Sequence, residues 1–260
     1  MSDPRIRLLA RADDAGSCHT ANVAIGECIE AGHPELATGL ALNVGVMACC
    51  PFFDEAAAML AGRRDICVGL HATINAEWDA PKWGPVLPPD RVPHLVDGDG
   101  HFHRTPVTSH EQGATADEVM AEIEAQLARA RAAGLRVEYL DEHMGFGWMP
   151  GVKERLEALM RREGLVPGRA QGLPKAAGQF DDPAEGLIAR LEAAAPGTHL
   201  IVGHPGHDTE EMRRLTHPGL SPGQVARERE GDTRMFTSPR ILAYCRAHGV
   251  KPIRFTDLSS

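Results

Sequence analysis

The strongest constraint on the fold is a repeated unit in which a short apolar run ends on ionisable residues and then gives way to helical spacing. Ile6–Ala10 leads into Arg11-Ala12-Asp13-Asp14-Ala15-Gly16, and Ile66–Leu70 leads into His71. The run at 136–140 leads into Asp141-Glu142-His143, and the one at 199–203 into His204-Pro205-Gly206-His207. Strand alternating with helix implies a parallel sheet. In such sheets the functional side chains gather at the C-terminal strand ends. About seven such units in one chain favour a closed or nearly closed (β/α) barrel, with an open doubly wound sheet as the alternative.

Further strands are expected at 40–44, 165–169 and 252–255. Helices are expected at 20–31, 53–61, 115–133, 151–163, 184–194 and 237–248. The helix at 115–133 places Val119, Ile123, Leu127 and Ala130 on one face and stops at Gly134. Gly32 stops the helix at 20–31 in the same way. Residues 74–113 interrupt the rhythm with prolines, glycines and two tryptophans, as a lid or binding loop would. No internal repeat or linker divides the chain, so residues 1–260 are expected to form a single domain with a substrate-loop insertion at about 74–113.

Composition removes several classes of function. With 260 residues and 43% apolar content the chain can bury a full core. A net charge of -9 is the wrong sign for a nonspecific nucleic-acid binder. No apolar run is long enough to span a bilayer, and Met1-Ser2-Asp3-Pro4 leads straight into a strand without the longer apolar region of an export signal. A cytoplasmic protein is the expectation. Cys18, Cys28, Cys49, Cys50, Cys67 and Cys245 form no C-x-x-C pair and are expected to be reduced, space-filling thiols. A homodimer is the default assembly for such a protein.

Asp13-Asp14 is costly as a structural pair, because two carboxylates after an apolar strand repel and need a cation or donors to stay ionised. Asp14, His71 and His143 together make a carboxylate and two imidazoles that suit a divalent metal with open positions for water and substrate. Zinc and magnesium lead, and manganese, cobalt and nickel remain open. Asp13 is left free as a base, and Asp141 is placed to orient a histidine ligand. His204, at a strand end, is the better candidate for a proton donor, whereas His207 reads as a surface-loop residue. Trp78 and Trp83 suit a sugar face or a loop anchor equally. Arg229 and Asp232 read either as a pair facing the site or as a solvated helical pair.

At this point the residues resemble a known family, the YdjC-like (ChbG/HpnK) carbohydrate deacetylases. The resemblance rests on Ala12-Asp13-Asp14-Ala15-Gly16 with Cys18-His19 and Asn22, then Cys50-Pro51-Phe52-Phe53 and Gly69-Leu70-His71. It continues through Glu77-Trp78, Trp83-Gly84-Pro85, Asp141-Glu142-His143-Met144, His204-Pro205-Gly206, Arg229-Glu230-Gly231-Asp232 and Thr237-Ser238-Pro239. It implies a distorted (β/α) barrel and one divalent metal on Asp14, His71 and His143. It also implies Asp13 as base, His204 as acid, and removal of acetyl groups from N-acetylated sugars. The chain departs from the family at Arg11, where Asn is common, at Ala15, where an aromatic residue is common, in the stretch Met144-Gly145-Phe146-Gly147, and at Asp232 in place of Glu. A substrate pocket of its own is therefore expected.

The expected function is metal-dependent hydrolysis of an N-acetyl amide on an amino sugar or small oligosaccharide. The rivals are a non-catalytic carbohydrate-binding or regulatory protein on the same scaffold, and a metal phosphoesterase. The latter would want more carboxylates or a second metal, with cationic phosphate clamps.

Overall fold

The computed structural model describes residues 5–31 and 39–259. The expected lead-in at Met1–Pro4 and the helix stop at Gly32 lie outside the described residues. In chain order the elements are β1 (Ile6–Ala15), α1 (His19–Glu30), β2 (Asn43–Val46), α2 (Phe53–Leu60), β3 (Cys67–Ala72), α3 (Pro106–Glu111), α4 (Ala116–Ala132) and β4 (Val137–Glu142). They continue with α5 (Val152–Glu163), β5 (Val166–Pro167), α6 (Pro183–Ala193), β6 (Gly197–Gly203), α7 (Glu210–Arg213), α8 (Gln224–Thr237), α9 (Pro239–Ala247) and β7 (Val250–Pro252).

The strands form a parallel sheet in the order β5-β4-β3-β2-β1-β6. One edge of β1 is covered by β6 from Ile6 to Ala12. The other is shared, with β7 beside Ile6–Leu8 and β2 beside Arg11–Ala15. The chain leaving β5 then crosses to the far edge of β6. There Leu200 N–H donates to the Gln171 carbonyl at 2.7 Å and Leu173 N–H donates to the Leu200 carbonyl at 3.0 Å. The sheet thus curls into a distorted, incomplete barrel with helices outside it, as expected.

Alternation along the strands divides the side chains between two cores. Leu8, Ala10 and Ala12 of β1 join Val44, Val68, Leu70 and Leu140 in the large cluster against the helices. Leu9 instead joins Cys67, Tyr139, Ile253 and Phe255, with Val166 and Leu200 packed alongside, and these fill the barrel interior. The Tyr139 and Phe255 rings meet at a tilt of 42° with centroids 4.7 Å apart. A Cβ on Gly69 would fall 2.3 Å from the Tyr139 ring, so only glycine admits this interior packing.

Several boundaries differ from the sequence expectation. The apolar run at 40–44 reports burial, but ladder pairing begins only at Asn43, where Arg11 and Cys67 flank it. The last strand is Val250–Pro252 rather than 252–255, and a 3-10 turn occupies Phe255–Ser259. Helix α4 matches closely, because a capping box between Thr115 and Glu118 fixes its start. Helix α8 lies where the sequence reading had no helix beyond the helical-pair alternative at Arg229 and Asp232. Its buried face of Val225, Ala226, Arg229, Thr233, Met235 and Phe236 carries two polar residues, which hides the helical period. Residues 74–113 hold α3 and one 3-10 turn at Pro89–Arg91. All six cysteines are free and buried. Among the described residues no helix is long and apolar enough to cross a membrane.

Candidate active site

The alternation that sends Leu9 and Tyr139 into the barrel also sends Arg11 and Asp13, His71, and Asp141 and His143 inward, one layer higher. Asp14 is out of phase and would ordinarily face the helices. It is turned back by a bulge, since the β1–β2 register shifts between Ala12 and Ala15 and Asp14 itself has φ 68°. A left-handed aspartate at a strand end is uncommon and strained, and such strain is typical of functional sites. Gly45 on β2 makes room: a Cβ there would sit 2.5 Å from Asp13 Oδ1.

Three donor atoms converge. His71 Nε2 lies 3.5 Å from Asp14 Oδ1, His143 Nδ1 lies 3.7 Å from the same oxygen, and the two nitrogens are 3.2 Å apart. All three residues are buried. A tetrahedral site with bonds of about 2.1 Å has donor–donor edges of about 3.4 Å, so the spacing fits one small divalent ion. The remaining ring nitrogens are taken by carboxylates, His71 Nδ1 by Asp141 Oδ2 at 2.8 Å and His143 Nε2 by Glu77 Oε2 at 2.9 Å. A proton on each of those nitrogens leaves a lone pair on each converging nitrogen. Asp14 Oδ1 is buried and has no hydrogen-bond partner. Two lone pairs and an orphaned carboxylate oxygen aimed at one point fit a cation.

Asp13, His71 and Asp141 form a second cluster of suitable donors. There the Arg11 guanidinium already supplies the positive charge. Its Nε and Nη2 donate to Asp13 Oδ2 at 3.0 and 2.6 Å, and Nη2 lies 2.8 Å from Asp141 Oδ2. The Asp14, His71 and His143 cluster is therefore the better candidate to hold a metal ion. Arg11 also leaves Asp13 Oδ1 buried and unpartnered.

Electrostatics separate the two adjacent carboxyls. Burial would raise the Asp14 carboxyl, but the Arg229 guanidinium, with Nη2 donating to Asp14 Oδ2 at 2.6 Å, holds it well below the ordinary range together with the nearby histidines. For Asp13 burial prevails, and its carboxyl is pushed up against the opposing pull of His71 and Arg11. Burial works against a charged His71, yet Asp141, Asp13 and Asp14 lift it to about 9.

Arg11, Asp13, Asp14, His71, His143 and Arg229 line a cavity of 480 Å³. His204 reaches it from the end of β6, with a half-exposed ring, and its backbone N–H donates to Asp232 Oδ2 at 2.7 Å. Asp232 and Arg229 face the cavity from α8 rather than forming a solvated pair, and Arg229 is buried. Trp78 is on the wall, stacked on His217 with centroids 5.8 Å apart. Trp83 must be corrected as a substrate-binding candidate: it is buried, its indole N–H donates to the Asn75 carbonyl at 2.8 Å, and it does not line the cavity. His207 lies between Glu27 and Glu230, off the cavity. Glu77 and Arg11 received no role from the sequence. Glu77 stood in the Glu77-Trp78 motif, and Arg11 lies two residues before Asp13 in the inward phase of β1, so both signals were present.

The family model described as YdjC-like protein matches residues 7–247. A carbohydrate deacetylase from Homo sapiens is 33% identical, with 100% of this chain and 93% of the relative covered. One from Brevibacillus brevis is 30% identical over 97% of this chain and 100% of the relative. Among solved structures, an Enterococcus faecalis protein described as a candidate for cellobiose-phosphate cleavage superposes with a TM-score of 0.78 at 19% identity, covering 99% of each chain. That likeness is one of fold. The span of the family match, read with the two relatives, places this chain in the YdjC-like family.

Proposed function

We propose that the chain is a metal-dependent hydrolase that deacetylates an N-acetylated amino sugar or small oligosaccharide, acting as one domain on one divalent ion, zinc or magnesium. The observation that carries this reading is the pair of orphaned, buried oxygens: Asp14 Oδ1 aimed at the two histidine nitrogens, and Asp13 Oδ1 beside it. The names of the relatives agree with it.

Asp14, His71 and His143 hold the ion, which when bound supplies Lewis acidity toward an acyl oxygen and lowers the pKa of a water. Asp13 takes the proton of the attacking water on Oδ1, because Oδ2 is fixed by Arg11. The burial that raises its carboxyl makes it a stronger base. His204 gives a proton to the departing amine nitrogen, its backbone pinned by Asp232. Asp141 and Glu77 fix the ring orientations of the two histidines. Trp78 offers an apolar wall to the sugar. A phosphoesterase is less well supported, because Arg11 and Arg229, the arginines of the cavity wall, are engaged with carboxylates rather than free to clamp a phosphate.

The test is acetate release from a panel of N-acetyl sugars by metal-stripped protein reloaded with single ions. Release should require metal. Asp13→Asn should keep the metal and lose about 10²–10⁴-fold in kcat, while Asp14→Ala should lose the metal. Wild-type kcat in Asp13→Asn would remove Asp13 as base. Metal binding without acetate release from any sugar would point to a binding protein.

A further inference from the structure

The carboxylates on the wall of the catalytic cavity are Asp13, Asp14, Glu77, Glu142, Glu228 and Asp232. The first four each meet a basic partner: Arg11 for Asp13, Arg229 for Asp14, His143 for Glu77 and Arg169 for Glu142. Glu228 and Asp232 stand four residues apart on one face of α8 and have no such partner in contact. Resting on the deacetylase reading, we propose that this pair makes the cavity select a sugar that carries a free ammonium group besides its N-acetyl group, a mono-N-acetylated diamino sugar.

Among the described residues Glu228 pairs with no cation. Its Oε1 accepts from the Gln224 side-chain amide at 2.9 Å, a neutral donor one turn back on the helix. Asp232 Oδ2 accepts the His204 backbone N–H at 2.7 Å, and His204 Nδ1 stands 4.0 Å away, beyond hydrogen-bond reach. Burial raises the Asp232 carboxyl and the Glu228 charge pushes the same way, against the pull of His204 and Arg229. A cation received by the two acids relieves that repulsion.

A third group on the same stripe indicates what the cation is attached to. Val225, Glu228, Arg229 and Asp232 run along α8 at helical spacing, and all line the cavity. Arg229 is buried, and its Nη2 is given to Asp14. Its Nη1 is buried and has no hydrogen-bond partner. Asp14 already balances the guanidinium charge, so Nη1 suits a neutral oxygen rather than an anion. Two carboxylate acceptors and one open N–H donor on a single stripe match an ammonium, with its three donors, set near a hydroxyl or ring oxygen. A simple alkylamine would leave Arg229 Nη1 unsatisfied, and a phosphorylated sugar would meet two like charges.

The experiment measures acetate release by metal-loaded wild type and Glu228→Gln, a substitution at an exposed position. The substrates are N-acetylglucosamine, its 6-phosphate, and analogues in which an amine replaces the 3-, 4- or 6-hydroxyl. In wild type at least one amine should exceed N-acetylglucosamine about tenfold in kcat/KM, the scale of one charge-assisted hydrogen bond, and the phosphate should be poorest. Glu228→Gln should erase the amine preference, and added salt should weaken it. No preference for any amine, or a preference for the phosphate, overturns the inference. An equal effect of Glu228→Gln on amine and neutral sugars also overturns it, and assigns the acids to the departing amine that both release. Calorimetric binding to metal-loaded Asp13→Asn separates this inference from the deacetylase reading. Amine binding that depends on Glu228, without acetate release from any sugar by wild type, sustains the selectivity and sinks the deacetylase.

Discussion

Arg229→Met isolates the charge that keeps Asp14 ionised. Methionine preserves most of the apolar stem, which matters because the Arg229 guanidinium lies over the Trp78 ring at 5.9 Å. The lost interaction is the 2.6 Å ion pair with Asp14 Oδ2, whose partners have side chains only 7% and 3% exposed. Breaking one side of a buried pair costs about 3–5 kcal/mol, because the remaining charge stays desolvated. The folded variant has one escape, which is to protonate Asp14. At pH 7 that costs about 4 kcal/mol, from 1.36 kcal/mol per unit above an ordinary aspartate pKa of about 3.9. At pH 5 it costs about 1.5 kcal/mol. In the wild type the folded carboxyl is depressed, so its stabilising contribution is present above the unfolded pKa and is lost only as pH falls through the lower folded value. The wild-type contribution is therefore constant between pH 5 and 7, while the variant, binding a proton on folding, weakens as pH rises. His71, lifted to about 9, stays cationic through this window and does not alter the trend. Thermal melts in chelator should show a drop of about 6–16 °C at pH 7, at about 2–4 °C per kcal/mol, narrowing to less than half of that at pH 5. A loss under about 1 kcal/mol, or one that does not change with pH, would refute the assignment of Arg229 as the partner of an ionised Asp14.

Metal affinity should depend on pH in the opposite sense to proton affinity at His71. Binding must displace its proton below about pH 9, and His143, raised by Glu77 against burial, must give one up as well, so affinity for zinc should rise by at least about tenfold per pH unit between pH 6 and 8; isothermal titration across that range checks it. Glu77→Gln keeps the shape of the acceptor on His143 Nε2 but removes its charge, and should weaken metal binding about 10–100-fold without unfolding the chain. Competition with a calibrated chelator reads this directly. Gly45→Ala drives a methyl toward Asp13 Oδ1 and should cost about 1–3 kcal/mol of stability. It should lower kcat while sparing metal content, which acetate assays and metal analysis separate.

Much of the site was legible because period-two alternation, not long-range contact, delivers it. Asp13, His71, Asp141 and His143 follow the inward phase of three strands, the last two on β4 and just beyond it, so recognising three strand ends was enough to bring them together. Asp14 shows the limit of that reasoning. Strict alternation sends it outward, and only the bulge and its φ of 68° return it to the cluster with His71 and His143. Nothing in local periodicity announces a bulge. The two tryptophans of the long loop show another limit, since they look alike in sequence. The Asn75 carbonyl, reached by the Trp83 indole, decides that Trp83 is an anchor and Trp78 a wall.

The helix at 224–237 was missed for a reason that bears on function. A helix is recognised by its apolar face, and this one buries Arg229 and Thr233 along with Val225 and Phe236. Arg229 is buried because Asp14 is there to receive it, and Thr233 because its hydroxyl accepts from Gly206 N–H at 2.9 Å in the loop that carries His204. The polar positions that hide the helix from a hydrophobic pattern are therefore the ones that tie it to the site. Placing α8 requires Asp14 and the His204 loop to be in position already, which makes it the element whose packing should be most sensitive to loss of the buried ion pair.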